Sequence, residues 1–174
     1  MHARDRAFRS GGTALLAAFV IAALAASLAG CASGRAAVAS SVAGKVGSRL
    51  RSLPTVSDTV RIPKAPLPPV PRTQVQTLAA AAEHEAIALI APHVDGLSIA
   101  DARNVVRGAC TAYDLIALGA ARSWDDAVGK ALTSFGGRGT LRFRVTDLTK
   151  DMAEARSATD WTVKAGAFLL CETV

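Results

Sequence analysis

From residue 73 onward, apolar residues recur at the three- and four-residue steps of amphipathic helices. The longest stripe consists of Ile99, Ala102, Val106, Ala109, Tyr113, Ile116 and Ala120. Ser98 directly precedes this stripe, and Asp101 lies within its first turn. This pattern predicts a helix N-terminus, because a serine oxygen can accept a backbone N–H that the first turn leaves unpaired.

Similar signals predict three further helices. Thr73 with Gln76 opens a helix that reaches Pro92, with Val75, Leu78, Ala82, Leu89 and Ile90 as its stripe. Ser123 with Asp126 opens another, which the Gly136-Gly137 pair ends. Ser157 with Asp160 opens the last one.

Residues 140–145 are ambiguous. Leu141, Phe143 and Val145 alternate as in a strand, whereas Leu141, Val145 and Leu148 keep helical spacing. A helix is predicted from about Thr146, and the six residues before it are left open. The predicted fold is all-α, a small four- to five-helix, bundle-like domain over residues 73–174. The alanine-rich, aromatic-poor composition favours helices with small-residue contacts over a β-sandwich.

Near the start of the chain, residues 14–26 form an apolar run. Three basic residues precede it, Arg4, Arg6 and Arg9. The run has the length of a secretory signal and is short of the roughly 20 residues that span a bilayer. It leads to Leu28-Ala29-Gly30-Cys31, which resembles the lipobox of bacterial lipoproteins. The resemblance implies that residues 1–30 are a signal peptide, removed before Cys31.

The same resemblance implies that Cys31 carries diacylglycerol on its sulfur and a fatty acyl chain such as palmitate on its amine. These chains would make membrane lipid the first partner of the protein and hold it stably. Ala32 follows the cysteine, where an aspartate would signal inner-membrane retention. The implied location is therefore the outer membrane with the domain facing the periplasm, and the periplasmic face of the inner membrane is the alternative.

Residues 31–72 are predicted to be the lipidated N-terminus and a basic, Pro-rich flexible tether. Six of the seven prolines lie between Leu53 and Arg72, a density that favours extended polyproline II and a reach of about 60 Å. Earlier in the segment, four aliphatic residues recur every four positions: Val38, Val42, Val46 and Leu50. A short amphipathic helix lying on the membrane is one interpretation. A flexible segment is the favoured interpretation, because nearby glycines weaken an isolated helix.

Charge also separates the two parts of the mature chain. Residues 31–72 hold seven basic residues against one acidic residue, whereas residues 73–174 hold ten basic and twelve acidic residues. A nucleic-acid-binding domain would carry basic residues on its folded surface, with aromatic residues among them. No nucleic-acid partner is therefore predicted.

Two more cysteines follow in the mature domain, Cys110 and Cys171. Each lies beside the apolar stripe of a predicted helix, and the periplasm is oxidising, so a disulfide between them is predicted. Two buried free thiols are the alternative, since helical spacing does not show that these two helices touch.

No catalytic residue, metal site or cofactor is predicted. His84-Glu85 begins like the zinc motif H-E-x-x-H, but Ala88 stands where the second histidine belongs. His84 is expected to be solvated, and His93 to lie at a helix end. The carboxylates Asp147 and Asp151 are assigned to a first helical turn, where capping explains them.

The predicted function is therefore that of a non-enzymatic binding or scaffolding component of the cell envelope, with an envelope protein or peptidoglycan as partner. One alternative is a phage-type, spanin-like outer-membrane lysis lipoprotein, a class that shares the lipobox and a proline-rich periplasmic stretch. Another is a small periplasmic enzyme or enzyme inhibitor.

Overall fold

The computed structural model describes residues 37–136 and 139–174, so the predicted signal peptide and Cys31 lie outside the described residues. Helix α1 covers residues 37–52. Its aliphatic stripe is at most 6 % exposed and belongs to the same core as the later helices: Val38, Val42, Val46 and Leu50. The structure therefore differs from the predicted flexible tether here. The stripe packs on protein, and this burial offsets the helix-weakening effect of the glycines.

The Pro-rich segment also packs against the domain instead of extending from it. Strands β1 (Thr55–Val56) and β2 (Thr59–Val60) form an antiparallel hairpin, and β3 (Val70–Pro71) pairs antiparallel with β2. Ser57 and Asp58 both have positive φ, 49° and 59°, as a two-residue type I′ turn requires.

Apolar side chains between the exposed prolines hold this segment to the core. The buried ones are Leu53, Val60, Ile62, Leu67 and Val70. Trp161 adds a hydrogen bond from its indole Nε1 to the carbonyl oxygen of Pro68, at 3.1 Å. The prolines stiffen a chain that is packed on one side, so the boundary predicted at residue 72 does not separate two independent parts.

The remaining helices are α2 (Val75–Val94), α3 (Ile99–Ala117), α4 (Trp124–Thr133), α5 (Arg142–Ser157) and α6 (Trp161–Thr173), with 3₁₀ turns at Arg72–Gln74 and Gly139–Leu141. They confirm the predicted all-α fold and its four to five helices, to which α1 is added. The ambiguous stretch is helical: Leu141 and Val145 are buried at helical spacing, while Phe143 is 80 % exposed.

Two of the predicted helix starts are confirmed by their hydrogen bonds. Ser98 Oγ accepts from Asp101 N, and Ser123 Oγ accepts from Asp126 N. The two other capped starts, at Thr73 and Ser157, are wrong. A 3₁₀ turn precedes α2, which begins without a side-chain cap, and Ser157 is the last residue of α5.

Asp160 caps α6 in place of Ser157. Its Oδ1 accepts from Thr162 Oγ1 at 2.7 Å and from the backbone N–H groups of Thr162 and Val163 at 2.8 and 3.2 Å. These hydrogen bonds, that of the Thr162 side chain first, lower the pKa of Asp160. An ionised carboxylate that accepts several donors is a stronger cap than a hydroxyl one turn earlier.

Small residues let the helices approach closely. Helix α2 packs on α6 with Ala82 and Ala86 next to Gly166. A Cβ on Gly166 of α6 would lie 3.0 Å from the Ala82 carbonyl oxygen, so a larger residue would force the two helices slightly apart. Helix α3 packs on α4 and α5. Within the two described ranges, no helix is long and apolar enough to cross a membrane.

Ion pairs join the basic α1 to the more acidic helices beneath it. Arg51 Nη2 lies 2.8 Å from Glu83 Oε1 on α2, and Arg49 Nε lies 3.3 Å from Glu172 Oε2 on α6. Exposed pairs of this kind contribute little, about 0–1 kcal/mol each. They orient α1, and its buried stripe supplies most of the stabilisation.

We expect Leu50→Ala to lower the free energy of unfolding by about 2–5 kcal/mol, the usual cost of truncating a buried leucine. Leu50 is 0 % exposed. Leu118→Ala is the matched control, because Leu118 is 82 % exposed and its truncation should change stability by less than about 0.5 kcal/mol. Urea unfolding measures both. Equal stability of Leu50→Ala and the unsubstituted protein would contradict the packing of α1.

Candidate functional site

A cleft opens where α1 lies beside the first turns of α3. Its volume is about 390 Å³. Nine residues line it: Ala37, Val38, Ser41, Val42, Lys45, Ile99, Arg103, Arg107 and Val174. Three of the nine are cations, and none is acidic.

Helical geometry places these cations together. Lys45 follows Ser41 by four residues and lies beside the buried stripe of α1, while Arg103 and Arg107 are four residues apart on α3 and point the same way. Arg107 Nε donates to the backbone oxygen of Val174 at 3.3 Å, which leaves its other N–H groups for a ligand. Within the described part of the chain, Lys45 and Arg103 form no ion pair.

The cleft can hold an anion. Arginine offers several N–H donors in a fixed plane, which suits the paired oxygens of phosphate and carboxylate groups. The spacing of Arg103 and Arg107 is visible in the sequence, but sequence reasoning missed the site. Its other wall is α1, and nothing in the sequence shows that α1 packs beside α3.

A second polar site lies between α2 and α5. His93 is 9 % exposed, and its Nε2 lies 2.8 Å from Oδ2 of Asp151. Helix α2 continues through Pro92, whose carbonyl oxygen accepts from Arg144 Nη1 at 3.0 Å. The assignment of Asp151 to a first turn is wrong, since Asp151 lies mid-way along α5 and pairs with this histidine.

The His93–Asp151 pair resembles the base and orienting group of a nucleophilic triad, but its surroundings are structural. The hydroxyl of Thr149, two residues before Asp151 in the sequence, is buried and donates to the Val145 carbonyl oxygen at 2.5 Å. His84, by contrast, is 81 % exposed and lies 3.8 Å from Glu85. In residues 37–136 and 139–174, no three His, Cys, Asp or Glu side chains are grouped to hold a metal ion.

The structure brings together Cys110 on α3 and Cys171 on α6. Their Cα atoms are 5.4 Å apart, the distance of a disulfide. Both cysteines were predicted to lie beside apolar stripes, but helical spacing did not show whether their helices touch. In the structure, α3 and α6 come into contact at this pair.

Aromatic contacts reinforce the same junction of helices. The Arg156 guanidinium on α5 lies 4.0 Å from the ring centre of Tyr113 on α3 and 4.6 Å from that of Phe168 on α6. Its Nε also donates to the Ala167 carbonyl oxygen at 3.3 Å. The end of the chain, which lines the cleft at Val174, is therefore fixed from two sides.

Comparison with known proteins gives no relative. No protein-family model, no curated protein and no solved structure matches this chain.

The paired cysteines should stabilise the domain by about 4 kcal/mol, because a bond across 61 residues restricts the unfolded chain. We expect the double variant Cys110→Ser and Cys171→Ser to unfold at clearly lower denaturant concentration than the oxidised protein. The reduced, unsubstituted protein should resemble the variant. If oxidised protein, reduced protein and variant unfold together, the pair does not act as a covalent link.

Proposed function

We propose that this chain is a bacterial lipoprotein, lipidated at Cys31, whose helical domain lies close to the membrane and acts as a non-enzymatic binding component of the cell envelope. Two features support the proposal: the lipobox at the end of an apolar run, and the position of α1. The described fold begins at residue 37, six positions after Cys31. Six fully extended residues span at most about 20 Å.

This short connection changes the expected partner. A 60 Å arm would have let the domain reach peptidoglycan or a second envelope layer. Because residues 37–72 are packed on the domain, the anchored protein instead presents its α1 side to the surface of its own membrane. A ligand or partner at that surface, on the periplasmic face of the outer membrane or alternatively of the inner membrane, is the one within reach.

The spanin-like alternative rested on a lipobox followed by a free proline-rich stretch. Here the apolar residues between the prolines are buried in the domain, and no observation favours that alternative. Two contacts support a non-enzymatic role: the His93 imidazole is paired with Asp151, and Cys110 faces Cys171. The first contact joins α2 to α5, and the second joins α3 to α6.

We expect Cys31→Ser to abolish lipidation. Expressed as the full chain in a bacterial host, the unsubstituted protein should occur in the membrane fraction with the mass of a mature chain plus acyl groups. The Cys31→Ser variant should lack the acyl mass and the cleavage before residue 31. Membrane fractionation and intact-mass spectrometry measure both properties.

The double variant Cys110→Ser and Cys171→Ser makes the same substitution elsewhere and serves as the control, since it should still be cleaved, acylated and anchored. A Cys31→Ser protein that is cleaved and acylated like the unsubstituted one would overturn the proposed anchor.

A further inference from the structure

We propose that the cleft between α1 and α3 binds the phosphodiester head group of an anionic membrane lipid beside the anchor. This inference rests on the proposed function, because the lipid anchor brings the cleft to the bilayer. It names the ligand class that the domain recognises there.

Charge is the first argument. Residues 73–174 hold two more acidic than basic residues, yet the cleft is lined by Lys45, Arg103 and Arg107 and by no Asp or Glu side chain. Asp101 lies in the first turn of α3 and accepts from Ser98 Oγ at 2.9 Å, but it does not line the cleft. A cleft lined by three cations and by no Asp or Glu side chain favours an anionic ligand.

The apolar part of the cleft distinguishes a lipid from a free anion. Ile99 is 50 % exposed, and the largely buried Val38 and Val42 also line the cleft. A small inorganic anion gains nothing from these side chains. A phospholipid brings a phosphodiester for the cations and glycerol and acyl carbons for the aliphatic surface, so it uses both kinds of lining.

Position is the third argument. Ala37 lines the cleft and follows Cys31 by six residues in the sequence, so the cleft is close to the proposed anchor. Within about 20 Å of the acylated cysteine, lipid head groups are the most concentrated anions of the envelope. The anchor raises the effective concentration of the ligand, and a modest affinity is sufficient.

The test is a calorimetric titration of the full-length mature protein in neutral detergent micelles. The probes are dihexanoyl phosphatidylglycerol, dihexanoyl phosphatidylcholine and sodium phosphate. We expect saturable binding of phosphatidylglycerol, at least tenfold weaker binding of inorganic phosphate, and no saturable binding of phosphatidylcholine.

Variants locate the binding. The triple variant Lys45→Gln, Arg103→Gln and Arg107→Gln should weaken phosphatidylglycerol binding at least tenfold, since each side chain is exposed and donates to the phosphate. The matched control is Lys150→Gln, Arg61→Gln and Arg72→Gln. It removes the same residue types at exposed positions outside the cleft and should bind as the unsubstituted protein does. The single variant Arg103→Gln should bind several-fold more weakly and keep the unsubstituted melting temperature.

Three results would overturn the inference. Inorganic phosphate binding as tightly as phosphatidylglycerol would make the cleft a site for a free anion. An equal loss of phosphatidylglycerol binding in the two triple variants would show unspecific charge attraction. Unchanged phosphatidylglycerol binding in both Arg103→Gln and the cleft triple variant would exclude the cleft.

The Cys31→Ser protein separates the two proposals. In the same micelles it should still bind phosphatidylglycerol, so failure of the anchor and failure of the cleft give separate results.

Discussion

The burial of one aliphatic stripe on α1 determines most of this structure. Val38, Val42, Val46 and Leu50 turn into the core between the later helices, and the Pro-rich segment that follows must then return across the domain surface. Without that burial, α1 would be a glycine-weakened segment of marginal helicity. With it, the described chain becomes one unit from residue 37 onward.

The burial of the α1 stripe also places α1 beside α3 and so forms the cleft. The face of α1 beside the stripe carries Lys45 and forms one wall of the cleft, and α3 supplies Arg103 and Arg107 opposite it. Because α1 is the first described helix after Cys31 in the sequence and also a wall of the cleft, the proposed anchor would hold the proposed lipid-binding site close to the membrane. The packing of α6, through its small residues, Cys171 and the contacts of Arg156, places Val174 at the same cleft.

Local signals in the sequence predicted local structure well. The caps at Ser98 and Ser123 depend on hydrogen bonds within one turn, so four residues of sequence contain the whole motif. At Ser157 the same pattern was misleading, because Asp160 was available to accept three hydrogen bonds itself. The all-α fold was predicted from helical stripes, and the pairing of Cys110 with Cys171 was predicted from those stripes together with the expectation of an oxidising compartment, with two free thiols as the alternative.

What the sequence did not predict depends on contacts between distant segments. The stripe on α1 was visible, but whether it faces a membrane, water or protein depends on helices that begin more than twenty residues later. The apolar residues among the prolines, such as Ile62 and Leu67, are buried, whereas the density of prolines predicts an extended segment. The His93–Asp151 contact spans 58 residues and has no local pattern, and the cleft needs both α1 and α3.

Hydrogen exchange on the lipidated protein tests the central claim most directly, because it reports whether α1 opens with the domain or independently of it. If α1 is part of the core, the backbone amides of Val46 and Leu50 should exchange as slowly as those of Val145 and Met152 in the core of α5. Amides in α1 that exchange near the rate of an unfolded chain, while α5 stays protected, would contradict it.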